Sequence, residues 1–171
     1  MSGGVDSSLT AYLLKEQGYE VEGISLILFD KGCVNPMSKA PCCSVETATD
    51  AMKTARSIGV KHTCMDMRDE FSEKVIRPFI AAYKKGLTPN PCILCNTYVK
   101  FSSFLHKALE LGADKVATGH YACIELSDQR AHLKKAFDTT KDQSYFLYGI
   151  QEAFLNSILF PLASCRKADT V

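Results

Sequence analysis

The short stretch SGGVDSS at residues 2–8 combines residue types that bind phosphate groups. Its two glycines, Gly3 and Gly4, allow a positive φ and let the backbone approach a ligand without a Cβ clash. The first amides of a helix that follows them have no intrahelical partner and favour an anion. The serines add hydroxyl donors, and Asp6 offers carboxylate oxygens of the kind that bind Mg²⁺ between phosphates. The stretch therefore predicts a phosphate-binding loop, and a plain glycine turn with a Ser or Asp cap is the alternative.

The second chemical signal is the set of eight cysteines. Cys95 lies at or just inside the start of a predicted helix, where the positive end of the helix dipole favours the nucleophilic thiolate. A zinc or iron–sulfur site is the alternative, since thiolates can come from two loops. Its candidate ligands are Cys42, Cys43, Cys92 and Cys95. One CxxC motif is a weak signal for such a site, and two adjacent cysteines do not easily bind one metal together. In predicted strands, Cys64 and Cys123 are expected to be small buried side chains.

Composition and charge bound the class of protein. The chain has 171 residues, of which 46% are hydrophobic, enough for one globular domain with a core. No apolar run approaches the roughly 20 residues that span a bilayer, and no secretory signal leads the chain. We therefore expect a reducing, cytoplasmic compartment in which thiols stay unpaired. Residues 51–171 carry 17 Lys and Arg against 12 Asp and Glu, which is typical of a polyanionic partner or of a solvated basic face.

The elements that must position these residues alternate between strand and helix patterns. VEGISLILF is a nearly continuous apolar run typical of a buried strand, and VKHTCMDM and DKVATGHY are further strand candidates. Helical spacing of apolar residues predicts helices after the first loop, after Ser44, before Gly86, at about 93–111 and across 142–160. YACIEL and RAHLKKAF predict a hairpin around SDQ. This order predicts an α/β fold with a doubly wound parallel sheet, in which ligands bind beyond the carboxyl ends of strands.

Three further motifs narrow the interpretation. TPNPCILCN spans residues 88–96, ATGHYA spans 117–122, and KDQSYFL spans 141–147. Together with SGGVDSS, they resemble the PP-loop ATP pyrophosphatase superfamily and, within it, the tRNA-specific 2-thiouridylase family. Members of that superfamily split ATP between its α and β phosphates and adenylate a substrate. PCCSVETATDA and NTYVKF also resemble the family, so the similarity covers nearly all 171 residues and implies an adenine-nucleotide alpha-hydrolase-like domain.

The resemblance implies roles for individual residues. Cys95 matches the catalytic cysteine, and Leu26 matches an adenine-contacting residue that is usually methionine. The positions implied to bind ATP are Ser2, Gly3, Gly4, Val5, Asp6, Ser7, Ser8, Leu26 and Gly119, with Mg²⁺ held through Asp6. The positions implied to contact tRNA are Asn90, Pro91, Cys92, His120, Lys141, Asp142 and Gln143. Because many members have aspartate where Cys92 stands, Cys92 is not expected to be required for the chemistry.

The implied activity is that of a tRNA-uridine 2-sulfurtransferase. The O2 atom of the wobble uridine attacks the α phosphate of ATP and pyrophosphate leaves, after which sulfur from a cysteine persulfide replaces AMP at C2. The implied cofactors are ATP and Mg²⁺, and the implied partners are tRNA and a persulfide sulfur-donor protein, without a membrane. The family's second, persulfide-carrying cysteine lies beyond residue 171, and Cys165 falls in a different stretch.

Two other functions remain open at this point. One is another PP-loop adenylating ligase or amidotransferase that uses ammonia, which the cysteines of PNPCILCN disfavour because ammonia chemistry needs no thiol. The other is a cysteine-rich iron–sulfur or zinc-binding module without catalysis.

The resemblance also predicts the domain organisation. Residues 1–171 are expected to form the PP-loop catalytic domain. The strand that leads into the loop, and the tRNA-binding and barrel domains that follow, are expected to lie outside this sequence.

Overall fold

The structure, a computed structural model, describes residues 1–29 and 45–170, with the backbone alone at 45–47. Ser44, Cys33, Cys42 and Cys43 lie outside the described residues, so their predicted roles are not tested. The chain divides into two compact units, Met1–Arg68 with Lys167–Val171 and Asp69–Arg166.

The first unit is built on a parallel pair of strands. Its elements are α1 (Val5–Glu16), β1 (Glu22–Ile27), α2 (Val45–Ser57), β2 (Lys61–Asp66) and a 3₁₀ turn at Lys167–Thr170. β1 and β2 pair in parallel, with Glu22 opposite Lys61 and Ile27 opposite Asp66. Parallel strands need a crossover connection, and α2 supplies a helix between them.

Small residues let α2 pack closely in this unit. Ala48, Ala51 and Ala55 are buried, as their helical spacing predicts. α1 ends as its sequence predicts, because Gly18 takes φ of +86° and its amide donates to the carbonyl of Lys15 at 2.9 Å.

Met1 lies alongside β1. Its amino nitrogen donates to the carbonyl of Ile24, and the hydroxyl of Ser25 donates to its carbonyl at 2.7 Å. The expected strand before the phosphate loop stays a prediction.

The second unit carries the long helices and the main hydrophobic cluster. A π-helical turn at Ser72–Ile76 joins α3 (Arg68–Phe71) to α4 (Arg77–Lys84), and a π-helical segment at Cys95–Phe104 joins α5 (Pro91–Leu94) to α6 (Leu105–Glu110). The remaining elements are β3 (Val116–Ala117), β4 (Ala122–Ser127), β5 (Arg130–Lys135), a 3₁₀ turn at Ser144–Leu147, α7 (Glu152–Leu155) and β6 (Ile158–Leu159). The fully buried core includes Phe101, Leu105 and Leu147.

Strand pairing in the second unit has one local and one long-range part. β4 and β5 form the predicted hairpin, whose two-residue turn places Asp128 and Gln129 at positive φ. β3 pairs in parallel with β6. Within the described residues, the strands thus form three two-stranded sheets, and parallel strands with covering helices agree with the predicted α/β class.

Two local expectations were wrong. The segment 142–160 is not one helix but a 3₁₀ turn, α7 and β6, because Ile158 and Leu159 pair with β3. Of the two strand cysteines expected to be buried, Cys64 in β2 is exposed and Cys123 in β4 is only half-buried.

Candidate functional site

The phosphate loop of the first unit has the backbone that its glycines predict. Gly3 takes φ of +74°, a conformation that costs a glycine little. Gly4 is extended, with φ of −84° and ψ of 162°, and occupies the N-cap position of α1. The amide of Ser8 closes the first helical hydrogen bond to the carbonyl of Gly4 at 3.2 Å. The loop therefore ends in the N-terminus of a twelve-residue helix, which favours an anion.

The serine hydroxyls hold this loop in shape. Ser7 Oγ donates to the carbonyl of Gly4 at 3.0 Å and accepts from the amide of Ser2 at 3.1 Å. The hydroxyl of Ser8 donates to the same Gly4 carbonyl at 3.0 Å. The serines thus stabilise the loop itself, and the donors best suited to phosphate are the first backbone amides of α1.

Asp6 forms an ion pair within the first unit. Its Oδ1 atom lies 2.5 Å from Nζ of Lys167, which the 3₁₀ turn at Lys167–Thr170 brings to the first turn of α1. Among residues 1–29 and 45–170, no group of three or more His, Cys, Asp or Glu side chains is placed to hold a metal ion. The single carboxylate of Asp6 would suit Mg²⁺ that arrives bound to the phosphates of a nucleotide. It does not suit a metal site built from protein side chains alone.

The predicted adenine contact lies on β1 of the same unit. Leu26 is half-buried and stands opposite Met65 in the parallel ladder. It is one residue from the carboxyl end of β1, the end at which parallel sheets bind ligands.

The cysteines of the CxxC motif begin a helix in the second unit. Asn90 is the N-cap of α5, and its Oδ1 accepts from the amide of Cys92 at 3.0 Å. Pro91 follows at the first helical position, where its missing N–H costs nothing. Cys92 is exposed, whereas Cys95 is buried with 9% of its surface accessible. The two thiols therefore differ sharply in access to solvent.

Two tight contacts position the helix just after Cys95. The buried side chain of Asn96 donates from Nδ2 to the carbonyl of Phe146 at 3.0 Å. Gly149 packs so closely against Thr97 that an added Cβ would lie 3.3 Å from Thr97 Cβ and far inside van der Waals contact of its Oγ1. The cysteine helix is thus fixed to the segment that follows the KDQ motif.

Gly119 and His120 lie in a half-buried turn after β3. Nδ1 of His120 is 2.8 Å from the hydroxyl of Thr118, and its ring packs against Phe101 and Phe160 at 5.9 and 6.1 Å between centroids. Burial, with a smaller effect from the charge of Lys100, lowers the pKa of His120 from 6.5 to about 3. At neutral pH the ring is therefore uncharged, and any contact that it makes with RNA would be a neutral hydrogen bond or stacking.

The KDQ motif is anchored by its last two residues. Gln143 exchanges two bonds with Tyr121: its amide donates to the carbonyl at 2.8 Å, and its Oε1 accepts from the amide at 3.0 Å. Asp142 accepts from the amide of Ala136 at 2.8 Å and from the hydroxyl of Ser144 at 2.7 Å. Lys141 is exposed. These contacts give Asp142 and Gln143 a structural role here, and their predicted contacts with tRNA stay predictions.

Some residues of the site were missed by sequence reasoning. Lys167 has no motif around it, and no local signal could place it beside Asp6, 161 residues away. The Asn96 link to Phe146 spans 50 residues and was likewise not readable. The capping role of Asn90 was readable, because an Asn before a Pro at a helix start is an N-cap signature.

The fold and the loop define a PP-loop type of nucleotide-binding domain, and comparison with known proteins places it. All of residues 1–171 match the family described as the tRNA methyl transferase HUP domain, and the chain belongs to this family. A relative named tRNA-specific 2-thiouridylase MnmA, from Halothermothrix orenii, is 48% identical over 170 residues, which cover 99% of this chain and 48% of that protein.

Two further relatives carry the same description. One is named tRNA-specific 2-thiouridylase MnmA 2 and comes from Caldanaerobacter subterraneus subsp. tengcongensis. The other is named tRNA-specific 2-thiouridylase MnmA 1 and comes from Thermoanaerobacter pseudethanolicus. Each is 48% identical over 170 residues, covering 98% of this chain and 47% of the relative. The chain thus spans about half the length of the curated relatives it matches. In the described part of the chain, no helix is long and apolar enough to cross a membrane.

Proposed function

We propose that this chain activates the wobble uridine of tRNA with ATP and supplies the cysteine for its 2-thiolation. The observation that carries the proposal is the match of 98–99% of the chain to relatives named tRNA-specific 2-thiouridylases. The loop geometry supports the ATP half of the reaction, and the capped helix that carries Cys95 supports the sulfur half.

In the activation step, ATP is a second substrate of the enzyme. The O2 atom of uridine forms a bond to the α phosphorus as the bond between the α phosphorus and the bridging oxygen breaks, and pyrophosphate leaves. The amides at the start of α1 would bind the phosphates and stabilise their charge. Asp6 would be the residue that holds Mg²⁺, and that ion would supply further positive charge to the phosphates.

In the transfer step, the sulfur comes from a persulfide on the enzyme's second cysteine, which lies outside residues 1–171 and receives its outer sulfur from a sulfur-donor protein. A C2–S bond forms, the C2–O bond to the adenylate breaks, and AMP leaves. The Cys95 thiolate then attacks the cysteine sulfur that is still bonded to the sulfur on C2. That S–S bond breaks, the outer sulfur stays on the base, and a disulfide forms between Cys95 and the cysteine that carried the persulfide. An external thiol then reduces this disulfide.

The RNA must present its uridine outside the stack for both steps. Single-stranded bases are recognised in this way, by splaying them out and binding their edges. The exposed Lys141 is suited to a phosphate contact, and Asn90, Pro91 and Cys92 are suited to lie near the target base. The neutral His120 is suited to a base contact rather than to a phosphate contact.

The experiment combines purified protein with ATP, Mg²⁺, unmodified tRNA and a persulfide donor protein, and follows both products. Asp6→Ala is expected to abolish pyrophosphate release. Cys95→Ser is expected to abolish 2-thiouridine, measured by mass spectrometry of nucleosides, while pyrophosphate release continues. Cys92→Asp is the matched control, three residues away, and should retain both, because many relatives of the resembled family have aspartate at that position.

Several outcomes would overturn the proposal. Pyrophosphate release by a folded Asp6→Ala variant would remove the loop assignment. A methylated instead of a thiolated uridine would replace sulfur transfer by the methyl transfer in the family's description. If Cys92→Asp lost activity together with bound iron, a cysteine cluster would be the better explanation.

A further inference from the structure

The ion pair between Lys167 and Asp6 brings a positive charge to the phosphate loop from the far end of the chain. Nζ of Lys167 lies 2.5 Å from Asp6 Oδ1, and the two side chains are 29% and 37% exposed. Asp6 is the second residue of α1, so the ammonium lies at the first turn of that helix. Both residues belong to the first unit.

The electrostatics of the loop call for such a charge. In a GxxxxGKS or GxxxxGKT loop, the lysine reaches the β and γ phosphates, and SGGVDSS contains no lysine. When no cation is bound to it, the Asp6 carboxylate places a negative charge beside the helix start and would repel a polyphosphate. The Lys167 ammonium, paired with Asp6, offsets this repulsion. Its positive charge also attracts the polyphosphate, and it has three N–H donors, of which one suffices for Asp6.

We propose that Lys167 is a polyphosphate-binding residue of this loop and supplies the charge that the loop sequence lacks. The inference rests on the proposed binding of ATP and names a residue of that same site. Lys167 stabilises the charged end of the nucleotide, and the adenosine part is bound elsewhere.

A purely structural role for the ion pair makes different predictions. Lys167 begins a turn that is closed by Thr170, whose hydroxyl donates to the Lys167 carbonyl at 2.9 Å. If the pair only fastened this turn to α1, its loss would lower the melting temperature and would weaken all ligands alike. A polyphosphate-binding residue instead changes affinity in proportion to ligand charge.

The experiment measures binding of ATP, inorganic pyrophosphate and adenosine to the protein by calorimetry at low salt. Lys167→Met is expected to weaken ATP and pyrophosphate about 10- to 100-fold, the usual effect of losing one charge-assisted hydrogen bond. Adenosine should bind as it does to the wild type. Lys167→Arg should restore most of the pyrophosphate affinity, and high salt should shrink the difference between wild type and Lys167→Met.

Lys15→Met is the matched control in the same unit. Lys15 donates to the carbonyls of Ile58 and Gly59 at 2.6 and 3.3 Å, a structural role at the other end of α1. This variant should bind all three ligands as the wild type does.

The outcomes separate this inference from the proposed function. If the wild type binds neither ATP nor pyrophosphate, the proposed function and the inference both fall. If the wild type binds both and Lys167→Met binds them equally well, only the role of Lys167 falls. Equal losses for adenosine and pyrophosphate would also overturn it, because they indicate a structural role.

Discussion

Replacing Gly149 by alanine tests how tightly the cysteine helix is held. The added Cβ would lie 3.2 Å from Cγ2 and 3.3 Å from Cβ of Thr97, and still closer to its Oγ1. A rotation about χ1 moves Oγ1 and Cγ2 but leaves the Thr97 Cβ in place, so the backbone must also give way. Gly149 does not have a positive φ, and the new side chain therefore meets crowding rather than a strained backbone.

The magnitude follows from two opposing effects. Overpacking a well-packed site costs about 1–3 kcal/mol. Replacing glycine by alanine restricts the unfolded chain and returns about 0.4–1 kcal/mol. We expect a net loss of about 1–2 kcal/mol in the free energy of unfolding, or about 2–8 °C in melting temperature for a chain of this size.

The assay is urea unfolding of four proteins, followed by circular dichroism: wild type, Gly149→Ala, Thr97→Ala and the double variant. Thr97→Ala removes the two closest atoms, so alanine at 149 should cost little in that background. It also removes a buried hydroxyl that has no hydrogen-bond partner among the described residues. The coupling free energy between the two sites should then be about 1–3 kcal/mol.

Two results would refute this reasoning. The first is a Gly149→Ala variant as stable as the wild type. The second is a double variant whose loss equals the sum of the single losses, because additivity would mean that the residues do not meet.

Two further predictions concern the helix cap and the half-buried His120. Asn90→Ala should lower stability by about 1 kcal/mol by removing the acceptor of the Cys92 amide, and Asn90→Asp should restore it; equal melting temperatures for Asn90→Ala and wild type would contradict the cap. The pKa of His120 is about 3 when folded and 6.5 when exposed, so the unfolded chain gains the proton first and stability should fall as pH drops below 6.5. Its NMR ring signals, assigned with His120→Gln, should not titrate between about pH 5 and 8; a midpoint near 6.5 would show that the ring is not desolvated.

The elements predicted from the sequence are those whose signals are local. β1, α2, β2 and the hairpin were all placed by runs, spacing and turn residues within a dozen positions. The prediction of a single helix over residues 142–160 was wrong, because contacts with residues distant in the chain override the helical spacing of its apolar side chains. Gly149 must approach Thr97, and Ile158 pairs with Val116.

The features of the candidate site also divide into those predicted by local sequence signals and those that depend on distant residues. The positive φ that the two glycines allow was confirmed at Gly3 alone, because Gly4 is extended as the N-cap of α1, and the binding of phosphate by this loop stays a prediction. The pairing of Asp6 with Lys167 was not predicted, because the sequence around each residue contains no signal that points to the other. The uncharged state of His120 was not predicted either, because it depends on burial by Phe101 and Phe160, which come from different parts of the chain.

The separation of Asp6 and Lys167 along the chain also has a consequence for the order of folding. The Ser2–Ser7 bond closes a loop of 5 residues, whereas the Asp6–Lys167 pair closes one of 161. This is about five doublings of loop length, or about 3 kcal/mol more in closure entropy. A partly exposed ion pair contributes at most about 1 kcal/mol, too little to close that loop by itself. During synthesis on a ribosome, the phosphate loop therefore emerges well before Lys167. The Asp6–Lys167 ion pair forms only after the intervening chain has folded and shortened the distance between the two residues.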